Sequence, residues 1–279
     1  MTARPSLPAL PTFVTGAVRV FSLSLSEMLW SRRTVFLLLV TGAPVFLAVV
    51  ARIVQSSGIV PLRVNGVAVD GASVFGMMIW VFFLRFIIPV LGVFYGTALM
   101  ADEIEDRTIT YLFTRPIRRG AVLVGKYLAY LVCTSLVVLP SVVLVYFLLV
   151  PFSQVARTFT SFAIDLGLLA LGLAAYGALF ALVGAALKRP LVSGLVFVFG
   201  WEQVALLVPG YFRRFTVAHY VQALVPHAMP SDGVASLLQS VLTDNPPALV
   251  CLLVLAGIVG VTLWLAVSAV ESREYVLDQ

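Results

Sequence analysis

Hydrophobic residues in this chain are gathered into long stretches that are separated by short polar segments. The six longest stretches cover residues 34–51, 71–101, 127–156, 166–187, 190–212 and 245–270. Four of them contain no charged residue, whereas Arg85 interrupts the second and Glu202 interrupts the fifth. Because a helix needs about 20 apolar residues to cross the hydrocarbon core of a bilayer, each stretch predicts a membrane-spanning helix.

Composition indicates that lipid surrounds most of the chain. Of the 279 residues, 61% are hydrophobic and 11% are charged, and the mean hydropathy is +1.06, whereas soluble domains carry about 25% charged residues. We therefore predict an all-α integral membrane protein that forms one transmembrane domain over residues 1–279. Its six spans are expected at about residues 34–54, 74–100, 121–150, 164–187, 190–209 and 248–270, with a long outer loop over 210–247.

The segments on either side of the first span also carry patterns. Apolar residues recur at helical spacing over residues 14–33, with Val14, Val18 and Phe21 among them. This pattern predicts an amphipathic helix that lies in the inner membrane interface; a plain cytosolic lead-in is the alternative. The alternation of apolar residues over 60–69 indicates a small hairpin in the first outer loop.

The Lys and Arg residues of the loops predict the orientation, because cytoplasmic loops carry an excess of both. With the N-terminus inside, twelve of the 18 Lys and Arg residues face the inner side and five face the outer side. We therefore expect a multi-pass protein of the cell (inner) membrane with both termini in the cytoplasm. No clustered basic face with aromatic platforms is visible, so membrane lipid is an expected partner and nucleic acid is not.

The most polar segment lies between the second and third spans, over residues 101–120. Acidic residues at positions 102, 103, 105 and 106 suit the positive end of a helix dipole. The helix that follows carries Ile104, Ile109, Leu112 and Phe113. It ends before Pro116, because the residue preceding a proline is pushed out of the helical conformation. A short helix on the water side with an apolar stripe has no core of its own, so it needs a partner surface.

No catalytic, cofactor-binding or metal-binding arrangement is visible in the sequence. The segment from Gly120 to Tyr127 approaches the phosphate-binding loop pattern, but Tyr127 replaces the Ser or Thr that would hold magnesium, and no strand precedes the segment. We expect Lys126 to reach toward the inner lipid headgroups instead. The chain is therefore expected to bind no cofactor or metal and not to be an enzyme.

Arg85 and Glu202 are the charges that lie well inside predicted spans. Charged residues within a membrane are costly, and they tend to mark ion pairs or transport pathways. The similar predicted depth of these two makes them a candidate intramembrane pair, either within one chain or across a dimer. A structural pair and a role in substrate passage are both open at this point.

The segment that follows the second span has a specific order of residues. Acidic residues are followed by Thr108, Leu112, Pro116, Arg118 or Arg119, and then Gly125 and Lys126. This order resembles the signature of type-2 ABC transporter permeases, although Arg107 stands where that family commonly has Gly. The six-span layout, the interfacial N-terminal helix and the long outer loop are similar as well. The chain most resembles stand-alone permeases of this length, including those related to the copper-reductase maturation permease.

The resemblance implies that the chain is the membrane subunit of an ABC exporter. Such permeases pair as homodimers or heterodimers and bind cytoplasmic ATPase subunits, which carry the ATP and magnesium. The helix between spans two and three docks on the ATPase and transmits its closure. The residues to which the resemblance assigns this coupling are Glu103, Ile104, Glu105, Arg107, Thr108, Ile109, Leu112, Phe113, Arg115, Pro116, Arg118 and Arg119.

Two other classes of protein are compatible with the pattern. A secondary transporter driven by an ion gradient places ionisable residues and broken helices near the midplane; Arg85, Pro89 and Glu202 fit that class, but no convincing repeat is visible. A non-transporting membrane scaffold is the other alternative. Co-purification with an ATPase separates the ABC permease from both.

Overall fold

The computed structural model describes residues 13–57, 63–64, 67–68, 71–105, 119–207, 211–225 and 246–272. Helices account for nearly all of these residues, which confirms the predicted all-α class. The exception is a short antiparallel hairpin in which strand β1 (Arg63–Val64) pairs with strand β2 (Val67–Ala68). This hairpin lies where the alternating apolar residues of the first outer loop indicated one.

The helices follow one another along the chain as α1 (Phe13–Leu29), α2 (Arg32–Ser57), α3 (71–105), α4 (Arg119–Leu149), α5 (Phe152–Ala186), α6 (190–207), α7 (Val217–Ala223) and α8 (Ala248–Ser272). Helices α3 and α6 are composite, because each contains π-helical turns. These turns are Ile79–Ile87 and Gly92–Gly96 in α3, and Val196–Trp201 in α6. A 3-10 turn, Tyr211–Phe215, precedes α7. Such π-helical turns are frequent at functional sites; here Ile79–Ile87 contains Arg85 and Val196–Trp201 directly precedes Glu202.

Five helical segments in the described part of the chain are long and apolar enough to cross a membrane. They are Arg33–Ser56, Gly71–Asp102, Arg119–Leu149, Phe152–Ala186 and Ala248–Ser272. The remaining predicted span, the fifth at residues 190–209, corresponds to α6, whose apolar part, Pro190–Ala205, is shorter. At 1.5 Å per residue, α6 is about 27 Å long, slightly less than the hydrocarbon core of about 30 Å. The six-span count therefore stays a prediction.

Two helices extend beyond the spans that were predicted for them. Helix α5 begins at Phe152 rather than at residue 164, so only Val150 and Pro151 separate it from α4. Helix α3 continues past residue 100 as far as Glu105. The reason is the same in both cases: hydropathy marks the part of a helix that faces lipid, and a helix does not have to end where it meets water.

The N-terminal segment forms helix α1, and its predicted apolar face is buried in part: Ala17 is buried, and Leu25, Met28 and Leu29 pack partly buried against the core. The buried residues are Gly16, Ala17, Val20 and Ser24. Val14 and Val18, on the predicted stripe, are exposed. Small residues are buried because α1 packs closely on α4, where a Cβ on Gly125 would lie 2.6 Å from the Ala17 carbonyl oxygen. The position of α1 in the membrane interface stays a prediction.

The core lies between α3, α4 and α5. Within the apolar span of α3, 61% of the residues are buried, against 22% within that of α8, so α8 lies at the periphery. Large aromatic side chains fill the centre, namely Tyr95, Tyr130, Tyr146, Tyr176 and Phe180. Glycine allows the helices to approach closely, since a Cβ on Gly184 of α5 would overlap the Thr97 carbonyl oxygen of α3. Helices α3 and α5 are therefore in direct backbone contact.

Several helix ends meet at one end of the bundle, which we call the Arg33 end. The starts of α2 and α4 lie there with the ends of α3, α5 and α8. A compact apolar group, the Arg33-end cluster, consists of Met100, Leu123, Ala185, Ala266 and Val270. At the opposite end, the start of α3 touches the end of α4, because a Cβ on Gly71 would overlap the Leu149 carbonyl oxygen. The end of α3 and the start of α4 thus both lie at the Arg33 end.

Candidate coupling segment and buried polar cluster

The residues proposed for ATPase coupling begin and end at the Arg33 end. Glu103, Ile104 and Glu105 are the last residues of α3, and Arg119 is the first residue of α4. The other coupling residues lie outside the described residues, and they are Arg107, Thr108, Ile109, Leu112, Phe113, Arg115, Pro116 and Arg118. The coupling helix therefore stays a prediction, and the structure describes the helices on either side of it, α3 and α4.

The acidic residues of this segment occupy a different helical position from the one predicted. Asp102, Glu103 and Glu105 belong to the end of α3 and not to the start of a new helix. A negative charge is unfavourable at a helix C-terminus, where the helix dipole is also negative. Arg33 offsets this effect, because its guanidinium lies 2.6 Å from the Asp102 carboxylate. The two side chains are 49% and 40% exposed, so the pair contributes about 0–1 kcal/mol.

The Arg33-end cluster anchors both ends of the coupling segment. Met100 precedes the segment on α3, Leu123 follows it on α4, and both are fully buried against α5 and α8. The start of α4 also packs closely on α8, where a Cβ on Gly120 would lie 2.7 Å from the Val267 side chain. The cluster therefore connects the helices on both sides of the segment, α3 and α4, with α5 and α8.

A second group of polar residues lies inside the bundle, around Arg85 of α3. Its guanidinium donates a hydrogen bond of 2.6 Å to the side-chain oxygen of Gln203 on α6. Its Cζ atom also lies 5.5 Å from the centre of the Trp80 ring, a distance at which cation–π attraction operates. Arg85 therefore links α3 to α6 while an aromatic ring covers its charge.

Glu202 has different partners, although it precedes Gln203 directly in the sequence. The Tyr176 hydroxyl donates to its carboxylate, at 2.9 and 2.8 Å from the two oxygens. The backbone N–H groups of Val217 and Ala218, at the start of α7, also donate to it. Only 2% of Glu202 is exposed. The carboxylate is thus enclosed by hydrogen-bond donors from α5 and α7.

Arg85 and Glu202 lie in one buried polar cluster, but the described side chains show no direct ion pair between them within one chain. Their separation has a geometric reason. Successive residues on a helix point about 100° apart, so Glu202 faces α5 and α7 while Gln203 faces α3. The intramolecular pair expected from depth alone is therefore replaced by Arg85–Gln203 and Tyr176–Glu202 contacts. A pair across two chains stays a prediction.

The sequence analysis did not identify Gln203, Tyr176 or the start of α7 as partners of the two charged residues. Gln203 carried a signal that could have been used, because it is a polar side chain next to a charge in an otherwise apolar stretch. Tyr176 carried none, since a tyrosine in a membrane span is equally compatible with plain core packing. The start of α7 gave no signal either, because backbone N–H groups are the same at every non-proline residue.

Comparison with protein families supports the assignment of the whole chain. The family profile described as "ABC-2 family transporter protein" matches residues 22–269. The match includes the coupling segment and every member of the buried polar cluster. Comparison with curated proteins finds no match. Because the family match covers far more than half of a chain rich in membrane-spanning helices, this protein belongs to the ABC-2 family of transporter proteins, as a membrane-embedded permease component of an ABC transporter.

Proposed function

We propose that this chain is the permease subunit of an ABC exporter and that it couples ATP hydrolysis by a separate ATPase subunit to substrate movement. Family membership supports an ABC permease, which is a transport component and not itself a catalytic enzyme. In this proposal residues 101–120 and both termini face the cytoplasm. The ATP and magnesium are bound by the ATPase.

The observation that carries the proposal is how the coupling segment is anchored. Helices α3 and α4 hold its two ends, and the Arg33-end cluster joins these helices to α5 and α8. Closure of a partner domain would press the segment against this close-packed joint and tilt the helices together. A segment whose ends did not pack against other helices would bend under the same displacement, and the helices would not move.

The apolar stripe of the segment is expected to fill a groove on the ATPase. Truncating a buried interface anchor costs more than about 2 kcal/mol when it is a hot spot, which is about 30-fold in affinity. Leu112→Asp or Phe113→Asp should therefore leave the permease folded in the membrane but lose the ATPase. The measurement is a pull-down of tagged permease from native membranes, with the ATPase detected by mass spectrometry and by ATP hydrolysis.

Phe152→Asp is the matched control for the same chemical change at the other end of the bundle. Phe152 is 83% exposed and is the first residue of α5, where an acidic residue suits the helix dipole. This variant should retain the full complement of ATPase. If Leu112→Asp and Phe113→Asp also retain it, the segment is not the docking element.

A variant of the Arg33-end cluster separates transmission from docking. Leu123→Ala removes a fully buried side chain from the joint, at a cost of about 2–5 kcal/mol in stability. The complex should still assemble, but hydrolysis should be coupled less efficiently to transport in proteoliposomes. Normal transport per ATP hydrolysed in this variant would contradict a role for the cluster as the joint.

The orientation and the six-span count are tested with topology reporters. Reporters after Gln279 and within residues 106–118 should indicate the cytoplasm, and one near Asp232 should indicate the outside. Any exchange among these three results would refute the proposed topology.

The mass of the intact complex determines whether two permease chains pair on the ATPase subunits, and whether they form a homodimer or a heterodimer.

A secondary transporter is the alternative that the buried polar cluster favours. Glu202 is an ionisable residue enclosed at membrane depth, and such residues often lie on ion pathways. Proteoliposomes that contain the permease alone, with an imposed ion gradient, distinguish the two functions. Transport under this condition would replace the ABC exporter proposal, whereas transport that requires the ATPase and ATP supports it.

A further inference from the structure

A polar cavity opens at the Arg33 end, between α1, α2, α3 and α4. Its volume is about 290 Å³, and its charged and hydroxyl-bearing lining includes Glu27, Ser31, Arg33, Tyr95, Asp102 and Lys126. Of these residues, Asp102 also belongs to the segment of residues 101–120, and none belongs to the buried polar cluster. We propose that the cavity binds a phosphoethanolamine-type group, which is a phosphate ester that also carries a primary ammonium, as in the headgroup of phosphatidylethanolamine.

The lining charges are balanced and of both signs. Arg33 and Lys126 are cationic, and Glu27 and Asp102 are acidic. A purely anionic ligand would meet both carboxylates, and a purely cationic ligand would meet both basic groups. A zwitterion of this size places its phosphate on the basic groups and its ammonium on the acids. The Arg33–Asp102 contact leaves capacity for this, because a guanidinium carries five N–H donors and a carboxylate accepts at about four positions.

Tyr95 supplies an independent observation that points to a ligand. The residue is only 2% exposed, it lines the cavity, and within the described part of the chain its hydroxyl makes no hydrogen bond of normal geometry. The Thr34 side chain is close by, but no hydrogen bond of normal geometry joins the two. Leaving a buried hydroxyl without a hydrogen-bond partner is energetically unfavourable. A phosphate oxygen in the cavity would accept its proton and remove this cost.

The position of the cavity favours a lipid as the source of the group. Its basic residues lie near the starts of α2 and α4, at one end of two helices that are long and apolar enough to cross a membrane. Trp30, directly before the lining residue Ser31, is 92% exposed, and tryptophan is enriched at the membrane interface. The volume is close to the lower limit of about 300 Å³ for small-molecule pockets, which fits a headgroup whose acyl chains stay outside.

The proposal is tested by the lipid that the full-length permease retains. Protein in detergent is incubated with equal amounts of phosphatidylethanolamine and phosphatidylglycerol, and bound lipid is measured by native mass spectrometry. The wild type should retain phosphatidylethanolamine preferentially. Tyr95→Phe and Lys126→Gln should each lower that retention by about tenfold or more, because a hydrogen bond to a charged group contributes about 1.5–3 kcal/mol.

Lys188→Gln is the matched control. Lys188 is an exposed lysine in the turn between α5 and α6 at the same end of the bundle, and it does not line the cavity. This variant should retain phosphatidylethanolamine as the wild type does. Thermal unfolding of the lipid-free proteins checks the fold, and Tyr95→Phe should unfold no lower than the wild type, because it removes a buried hydroxyl that has no hydrogen-bond partner among the described residues.

Free phosphoethanolamine distinguishes the two sources of the group. If it raises the unfolding temperature of lipid-free wild type but not of Tyr95→Phe, the cavity takes the soluble compound; if only the lipid binds, the membrane is the source. Both results support the proposed chemistry. Equal retention of the two lipids, unchanged retention in both cavity variants, or no binding of lipid or phosphoethanolamine would overturn it.

Discussion

Removing the Glu202 carboxylate should destabilise α7 and the helices around it. The carboxylate accepts hydrogen bonds from the Tyr176 hydroxyl and from the backbone N–H groups of Val217 and Ala218. Glu202→Ala would leave these donors buried without an acceptor, at about 1–3 kcal/mol each. Breaking buried charged interactions costs about 3–5 kcal/mol. We therefore expect a loss of at least about 3 kcal/mol in the free energy of unfolding.

Two matched variants show how much of this loss belongs to the carboxylate. Tyr176→Phe removes one donor and leaves the carboxylate with its backbone partners, so a loss of about 1.5–3 kcal/mol is expected. Tyr130→Phe removes an equally buried hydroxyl that donates to the neutral Leu173 carbonyl at 3.0 Å. Its loss should be about 1 kcal/mol. The expected order of destabilisation is Glu202→Ala, then Tyr176→Phe, then Tyr130→Phe.

The assay combines global and local measurements on purified permease in detergent. For a chain of this size, 1 kcal/mol corresponds to about 2–4 °C in Tm, so Glu202→Ala should unfold at least about 6 °C below the wild type. Hydrogen exchange should also show that the Val217 and Ala218 amides lose protection. If the variant unfolds within about 2 °C of the wild type and these amides stay protected, the carboxylate does not hold α7.

Three further experiments test other contacts. A double-mutant cycle of Arg85→Met and Gln203→Leu should give a coupling of about 1.5–3 kcal/mol by thermal unfolding, and additive losses would show that the two side chains do not interact. Asp102→Asn should cost no more than about 1 kcal/mol, so a drop in Tm beyond about 4 °C would contradict the exposed ion pair. Gly184→Val should cost about 1–3 kcal/mol or more through overpacking, whereas Gly257→Val, whose Cβ would meet nothing within 4 Å, should not change Tm.

Local patterns predicted most of the secondary structure, because hydropathy and periodicity act over a single helix or hairpin. The class, α1 as a helix and the hairpin of β1 and β2 are confirmed. Where helices end was less predictable. Helix α3 extends to Glu105, and an ion pair with a residue of α2 offsets the charge at its acidic end; the sequence alone does not indicate which residue of another helix comes close.

The two candidate sites differ in the same way: the coupling segment could be recognised from the sequence, and the partners within the buried polar cluster could not. The coupling segment was recognised because its acidic, apolar and basic residues are contiguous, so a motif can be found without any knowledge of packing. The buried polar cluster draws on α3, α5, α6 and α7. Depth along a span predicted that Arg85 and Glu202 lie near each other, but the direction in which each side chain points on its helix determined their actual partners.

The sequence by itself determined that this is a helical membrane protein with a charged segment between two spans, since both follow from the order of apolar and charged residues. Only the tertiary structure decided what anchors that segment, which donors enclose Glu202 and that Tyr95 faces a polar cavity with an unpartnered hydroxyl. The physical reason is that burial and hydrogen bonding depend on which faces of separate helices come together. Those faces are chosen by close packing, such as the contact between Gly184 and α3, and not by any single segment of the chain.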